Sequence, residues 1–186
     1  MASSKERDDR WFDEVYRSNY PAVMRYAYRR LNNRAMAEEL TQEVFCVTWR
    51  RRHDTPKVTL AWLYAVARRL LLNGWRARRT RPVIVELAAA GAGAAFSPCE
   101  SVPAIVDLYA AMARLGERDR EVLQLIGWEE LTLKEAAEVI GCSRMATATR
   151  LMRARRRLHA ALEQTADHRT RDTGTVTSTR EVEVHA

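Results

Sequence analysis

Residues 131–158 read LTLKEAAEVIGCSRMATATRLMRARRRL. Thr132 and Glu135 stand three apart, the spacing at which a hydroxyl and a carboxylate cap a helix start reciprocally. Leu133, Ala136, Ala137 and Ile140 follow at helical spacing. Gly141 then allows a left-handed residue to end the helix without a Cβ clash. Ser143 is a natural N-cap for a second helix, whose inner face carries Thr147, Leu151, Ala154 and Leu158. Two short helices joined by a glycine turn, with small Ala137 permitting close approach, describe a helix-turn-helix.

From Gly141 to Leu158 there are six arginines (144, 150, 153, 155, 156 and 157) and no acid. A helix of that charge fits a DNA major groove, with residues near its start reaching base edges and flanking cations holding phosphates. The plainer alternative is an amphipathic hairpin with a solvated basic face.

The 186 residues permit one sizeable domain or two small helical ones, and 47% apolar with 30% charged residues is a globular composition. Only seven glycines and five prolines interrupt apolar spacing that is helical nearly throughout, so an all-α protein is expected. A net charge of +7 favours a polyanionic partner, without separating nucleic acid from an anionic membrane. Cys46, Cys99 and Cys142 lack the spacing of a disulfide framework or zinc site, and Cys46 and Cys142 fall in helical patterns as small core residues. The start, MASSKERDDR, has no apolar signal region. The apolar run 82–96 is too short and too weak to span a bilayer, so a soluble protein of a reducing compartment is expected.

Outward from the helix-turn-helix, Phe12, Val15, Tyr16, Tyr20, Val23, Met24, Ala27 and Leu31 form one helical stripe, which Pro21 either divides or kinks. Asn32 and Asn33 make a break. A second helix, 36–52, turns Ala37, Leu40, Val44, Val47 and Thr48 inward and carries Glu38, Glu39, Gln42 and Glu43 on its other side. A loop around Pro56 follows, and Thr59 can cap a third helix, 60–77, that buries Leu63, Val66, Ala67, Leu70 and Leu71.

Residues 50–81 hold ten Lys or Arg and one acid, Asp54, whereas the first 49 hold eight of each sign. Trp49, Trp62, Tyr64 and Trp75 are interleaved with this cluster. They are either core anchors or platforms on which unpaired bases stack while cations track the strand. Residues 81–103, rich in Ala, Gly and Pro, read as a flexible linker. Helical spacing resumes with Ile105, Leu108, Tyr109, Met112 and Leu115, then Val122, Leu123 and Ile126, completing a four-helix domain. The Thr-rich residues 165–186 read as a disordered tail.

The order is now specific: an acidic-faced helix, an aromatic and Arg-rich helix, a loose linker and a helix-turn-helix. In AEELTQEVF (37–45), AWLYAVARRLLLNGWRARR (61–79) and LTLKEAAEVIGCSRMATATRLMRARRRL, the chain resembles bacterial RNA polymerase sigma factors of the minimal, two-domain extracytoplasmic-function (ECF) group. The resemblance implies an N-terminal domain, 1–80, that binds core polymerase and the minus-ten element, and a C-terminal domain, 104–164, that binds the minus-thirty-five element. It assigns polymerase docking to Glu38, Glu39, Gln42 and Glu43. The melted strand falls to Arg52, His53, Lys57, Trp62, Arg68, Arg69, Asn73, Arg76 and Arg79. Duplex contacts fall to Ser143, Arg144, Met145, Ala148, Thr149, Arg150 and Arg153.

It implies no catalysis, no metal and no cofactor, a cytoplasmic location, and partners that are core polymerase, promoter DNA and an anti-sigma protein. The chain departs from the family where many members have Gly-Thr-Val-Lys-Ser and it has Met145-Ala146-Thr147-Ala148-Thr149. The inward Val becomes Thr147 and the Lys becomes Ala148, with Arg144 nearby as a substitute cation. Arg69 stands where Asn is usual, and Gly116 where Pro often starts the penultimate helix. The competing class is a helix-turn-helix repressor or activator that works without docking on polymerase. An enzyme would need clustered ligands or a positioned base, and the four histidines are scattered.

Overall fold

The computed structural model describes residues 9–55, 57–80 and 103–178, with side chains described for 9–55, 57–74 and 104–165. The chain is all-helical: α1 Asp9–Leu31, α2 Arg34–Arg50, α3 Leu60–Thr80, α4 Pro103–Arg114, α5 Glu117–Gly127, α6 Leu133–Ile140 and α7 Arg144–Ser178. The first three form one helical unit and the last four another. Residues 81–102, on which most of the linker reading falls, lie outside the described residues, as do 179–186.

Local chemistry sets the helix ends. Asn32 takes a left-handed φ of 48° after α1, and the Asn33 side chain accepts the Met36 N–H to start α2. The Thr59 hydroxyl accepts the Trp62 N–H at 3.1 Å, so it caps α3 as its position foretold. The Arg120 guanidinium donates to the carbonyls of Met112, Ala113 and Leu115, covering the orphan acceptors at the end of α4. Pro21 does not divide α1, which runs through it unbroken. Pro21 is exposed, so the Arg17 carbonyl it leaves unpaired can turn to water.

Val23, Tyr26, Val44, Phe45, Leu63, Tyr64 and Ala67 fill the core of the first unit. Met112, Leu115, Val122, Leu125, Ala136, Val139 and Ala154 fill that of the second. Three expectations about burial change. Thr41 and Phe45 are buried in α2 while Leu40 and Val47 are only partly so, because α1 covers a face rotated from the one read in the pattern. Both buried threonines of α2, Thr41 and Thr48, return their hydroxyls to carbonyls one turn back, which makes them tolerable inside. Cys46 is exposed and Cys142 half-buried, so neither is a closed core residue. Ile105, expected in the inward set of α4, lies exposed beside Val106, because the packed part of that helix begins a turn later at Leu108.

α7 does not stop where the tail was expected. Its backbone is helical to Ser178, past the boundary read at 165. An existing helix propagates without paying for a new nucleus, and no proline intervenes. The two units also touch: α3 packs on α6, and buried residues of both join one continuous apolar cluster.

Candidate nucleic-acid interface

The helix-turn-helix is built as its sequence foretold. Glu135 N–H donates to the Thr132 hydroxyl at 3.3 Å, and Thr132 N–H donates to the Glu135 carboxylate at 2.9 Å. The Thr132 hydroxyl and backbone hydrogen bonds hold the Glu135 carboxyl below the usual range. Gly141 adopts φ +76°, and the Cys142 and Gly141 N–H groups both return to the Ala137 carbonyl. Ser143 Oγ accepts the Ala146 N–H at 3.2 Å, starting α7.

The α7 register follows from what it buries. Thr147 and Ala154 are fully buried, with Leu151 and Leu158 half-buried in the same stripe. The Thr147 hydroxyl is accommodated there: it donates to the Ser143 carbonyl at 3.1 Å and lies 3.0 Å from Cys142 Sγ. With that stripe inward, Ser143, Arg144, Met145 and Arg153 are exposed, and Ala148, Thr149 and Arg150 are half-exposed beside them. Met145 is 81% exposed and Met152 66%, so two large apolar side chains stand among the arginines. Arg155 and Arg156 also face outward, while Arg157 forms an ion pair with Asp119 of α5 that ties the base of α7 to its own unit. The surface is a convex cationic helix with an apolar tip, a shape suited to a duplex groove.

The other basic cluster divides. His53 and Lys57 are exposed in the loop between α2 and α3. The Arg52 guanidinium stacks over the Trp49 ring at 3.9 Å and donates to the Trp49 carbonyl at 2.9 Å. Trp49 in turn packs edge-on against Phe12, with ring centroids 5.2 Å apart. Trp62 is half-buried against the core, Arg69 and Asn73 are exposed, and Arg76 and Arg79 lie on the α3 backbone beyond the described side chains, as does Trp75. Tyr64 is no strand platform: it is buried and stacked on Tyr26 at 4.6 Å and 15°. Burial pushes the Tyr26 phenol up to about 12 and raises the Tyr64 phenol as well.

Arg68 differs from its neighbours on α3. It donates through Nε and Nη2 to both carboxylate oxygens of Glu121, at 2.6 and 3.1 Å. That hydrogen bonding raises the Arg68 pKa further. At the end of α1, Arg29 Nη2 and Arg30 Nη1 each donate to one oxygen of Glu129, at 2.9 and 3.1 Å, and the Glu129 side chain is 1% exposed. Arg30 also lies over the Tyr26 ring at 3.4 Å. Sequence reading missed Arg29, Arg30, Glu121 and Glu129. The partners lie 53 to 100 residues apart, and no local pattern signals such pairs.

The acidic side of α2 faces out. Glu39 and Gln42 are exposed, while Glu38 and Glu43 are half-exposed and paired along the helix with Arg34 at 2.9 Å and Arg50 at 3.2 Å. Among the described residues there is no group of three His, Cys, Asp or Glu that could hold a metal. No helix of the described residues is long and apolar enough to cross a membrane.

Residues 15–81 match the model for sigma-70 region 2, and residues 105–158 match the model for sigma-70 region 4. The ECF RNA polymerase sigma factor SigM of Bacillus subtilis is 30% identical over 152 residues, covering 80% of this chain and 93% of SigM. The ECF RNA polymerase sigma factor SigL of Mycobacterium tuberculosis is 27% identical over 155 residues, covering 81% of this chain and 88% of SigL. The same fold appears in the sigma factor RpoE from Bartonella quintana, solved in complex with the anti-sigma factor NepR. There the TM-score is 0.60 at 24% identity, over 82% of this chain and 96% of that one.

Proposed function

The chain belongs to the ECF group of RNA polymerase sigma factors, and from that membership we propose how its surfaces divide the work of starting transcription. A sigma factor is a specificity subunit with no catalysis of its own, and the family assignment removes the alternative of a free-standing repressor. Residues 1–80 serve as the polymerase-docking and minus-ten half, and 104–164 as the minus-thirty-five half. The protein works in the cytoplasm, where its polymerase partner is.

The glutamate side of α2, with Glu39 and Gln42 fully outward and Glu38 and Glu43 in loose surface pairs, is the docking face for basic side chains of core polymerase. Surface pairs of this kind contribute roughly 0–1 kcal/mol, so exchanging them for intermolecular partners costs little. The loop with Arg52, His53 and Lys57, followed by Trp62, Arg68, Arg69, Asn73, Arg76 and Arg79, lies along the melted strand. Extruding a base costs a few kcal/mol, which stacking and phosphate contacts offset. Ser143, Arg144, Met145, Ala148, Thr149, Arg150 and Arg153 meet the duplex. With Ala148 in place of a cation, Arg144 supplies the phosphate or guanine contact at the helix start, and Met145 offers an apolar contact to a thymine methyl.

The observation that carries this reading is the outward cationic face of α7, set by the buried Thr147 and Ala154 behind a fully capped turn. Run-off transcription with purified bacterial core polymerase tests it. Supplied with this chain, core should initiate at promoters it ignores alone. Glu39→Lys with Glu43→Lys should abolish co-migration with core while leaving duplex affinity intact. Retained core binding in that double variant would remove α2 as the docking face. RpoE of Bartonella quintana forms a complex with NepR, and an anti-sigma protein that covers both halves is the regulator we propose here as well.

A further inference from the structure

The arginines at the junction of the two units are held by the chain's own acids. Arg68, placed above among the strand-lining residues, is bidentate on Glu121, and Arg29 and Arg30 share Glu129. All three arginines belong to the first unit and both glutamates to the second. Beside these pairs, Ala65, Arg68 and Leu72 of α3 face Glu138, Val139 and Ile140 of α6 across a shallow groove. The face of α3 that includes Arg68 is therefore covered by the helix-turn-helix.

A forked guanidinium holds a carboxylate and a phosphate by the same two parallel hydrogen bonds. The junction is also incompletely satisfied. Arg29 Nε and Arg30 Nη2 are buried without an acceptor among the described residues. A permanent interface rarely leaves charged donors unpaired, because each such donor loses its hydration without replacement. Glu129 offers two oxygens to two arginines, and the cradle has donors to spare for an anion with more oxygens.

We propose that Glu121 and Glu129 stand in for DNA backbone phosphates, latching the free chain in a closed form that withholds Arg68 from the strand-binding side of α3 until a nucleic-acid strand displaces them. The ligand of the opened cradle is the phosphodiester backbone of single-stranded DNA. The latch leaves the DNA-facing side of α7 alone, since Arg144, Arg153, Arg155 and Arg156 already face outward. The inference rests on α3 being the strand-binding element.

The test uses the full chain, a single-stranded deoxyoligonucleotide of mixed sequence, a duplex of the same length, and small-angle scattering. Glu121→Gln with Glu129→Gln should enlarge the radius of gyration of the free protein. It should also tighten single-strand binding about tenfold, the factor expected if roughly nine-tenths of wild-type chains are closed. Duplex affinity should stay within about twofold, the small change expected from removing two negative charges. Addition of the single strand to wild type should enlarge it too.

A double variant as compact as wild type would overturn the latch. Equal tightening for both nucleic acids would also overturn it, as a mere charge effect. An expanded variant with unchanged single-strand affinity would instead overturn the placement of the strand on α3. Because Glu129 is buried, Glu121→Gln alone, checked for native helicity by circular dichroism, provides a milder opening. As a second check, Arg68→Glu should expand the chain and Arg68→Glu with Glu121→Arg should recompact it. Failure of that rescue would count against the pair.

Discussion

Tyr26 shows how one side chain records its surroundings. Its ring stacks on Tyr64 and carries Arg30 on its other side, while its hydroxyl is buried without a partner among the described residues. Burial disfavours the phenolate, so the folded pKa of about 12 exceeds the phenol's ordinary value of 10.0. A group raised in this way contributes fully below the unfolded pKa and loses its contribution as pH rises through the folded one. The chain should therefore lose about 3 kcal/mol between pH 10 and 12 from this residue. Tyr26→Phe keeps both ring contacts and discards the unsatisfied hydroxyl. Urea unfolding should find it within about 1 kcal/mol of wild type at pH 7 and visibly less sensitive to alkali. Thr147 is the opposite case, a buried hydroxyl that is satisfied locally. The Ser143 carbonyl it bonds also accepts the Thr147 N–H, so Thr147→Val orphans nothing on the backbone. Stability should move by less than about 1 kcal/mol, with duplex affinity unchanged.

Among the elements, the turn between α6 and α7 is the most completely specified. Capping box, left-handed glycine and serine N-cap each have a local cause, and each was readable from residue type and spacing. Gly141 is required for its φ of +76° and not for space, since a Cβ there would meet nothing within 4 Å. Gly141→Ala should thus cost about 1 kcal/mol, from backbone strain alone, with the helix-turn-helix still assembled. The Glu135 carboxylate, held below its ordinary range, contributes in the other direction from Tyr26. Its share is present above pH 4.5 and is lost as pH falls through the depressed folded value. Where elements were misjudged, a neighbour was responsible. The face α1 covers moved the inward side of α2 toward Thr41 and Phe45, and the Tyr26 stack took Tyr64 from the candidate strand platform into the core.

At the scale of the molecule, the proposed division gives two cationic surfaces two forms of DNA, and salt should separate them. Affinity falls with salt by about 0.9 per phosphate contacted on duplex and about 0.7 on single strands. Arg144→Ala should lower the duplex slope by about that 0.9 and leave the single-strand slope alone, while Arg69→Ala should do the reverse by about 0.7. Filter binding across a salt series reads both, and a variant that shifts the two slopes together would contradict the division. The arrangement also places a carboxylate on Arg68, so that this strand-side arginine is not free to meet DNA in the closed form proposed above.

Helix periodicity, caps and the glycine turn depend on residues within one or two turns of each other. So the approximate positions of the seven helices among the described residues, the helix-turn-helix and the family could be read from residue order. Which rings are core, which face of α2 is inward and which arginines are engaged depend on contacts between residues tens of positions apart. Arg68 with Glu121, and Arg29 and Arg30 with Glu129, have no local signature, because an ion pair across 53 to 100 residues exists only once two helical units have been brought together. Their closure was decided by tertiary packing, where α3 meets α6 and burial makes each unpaired charge costly.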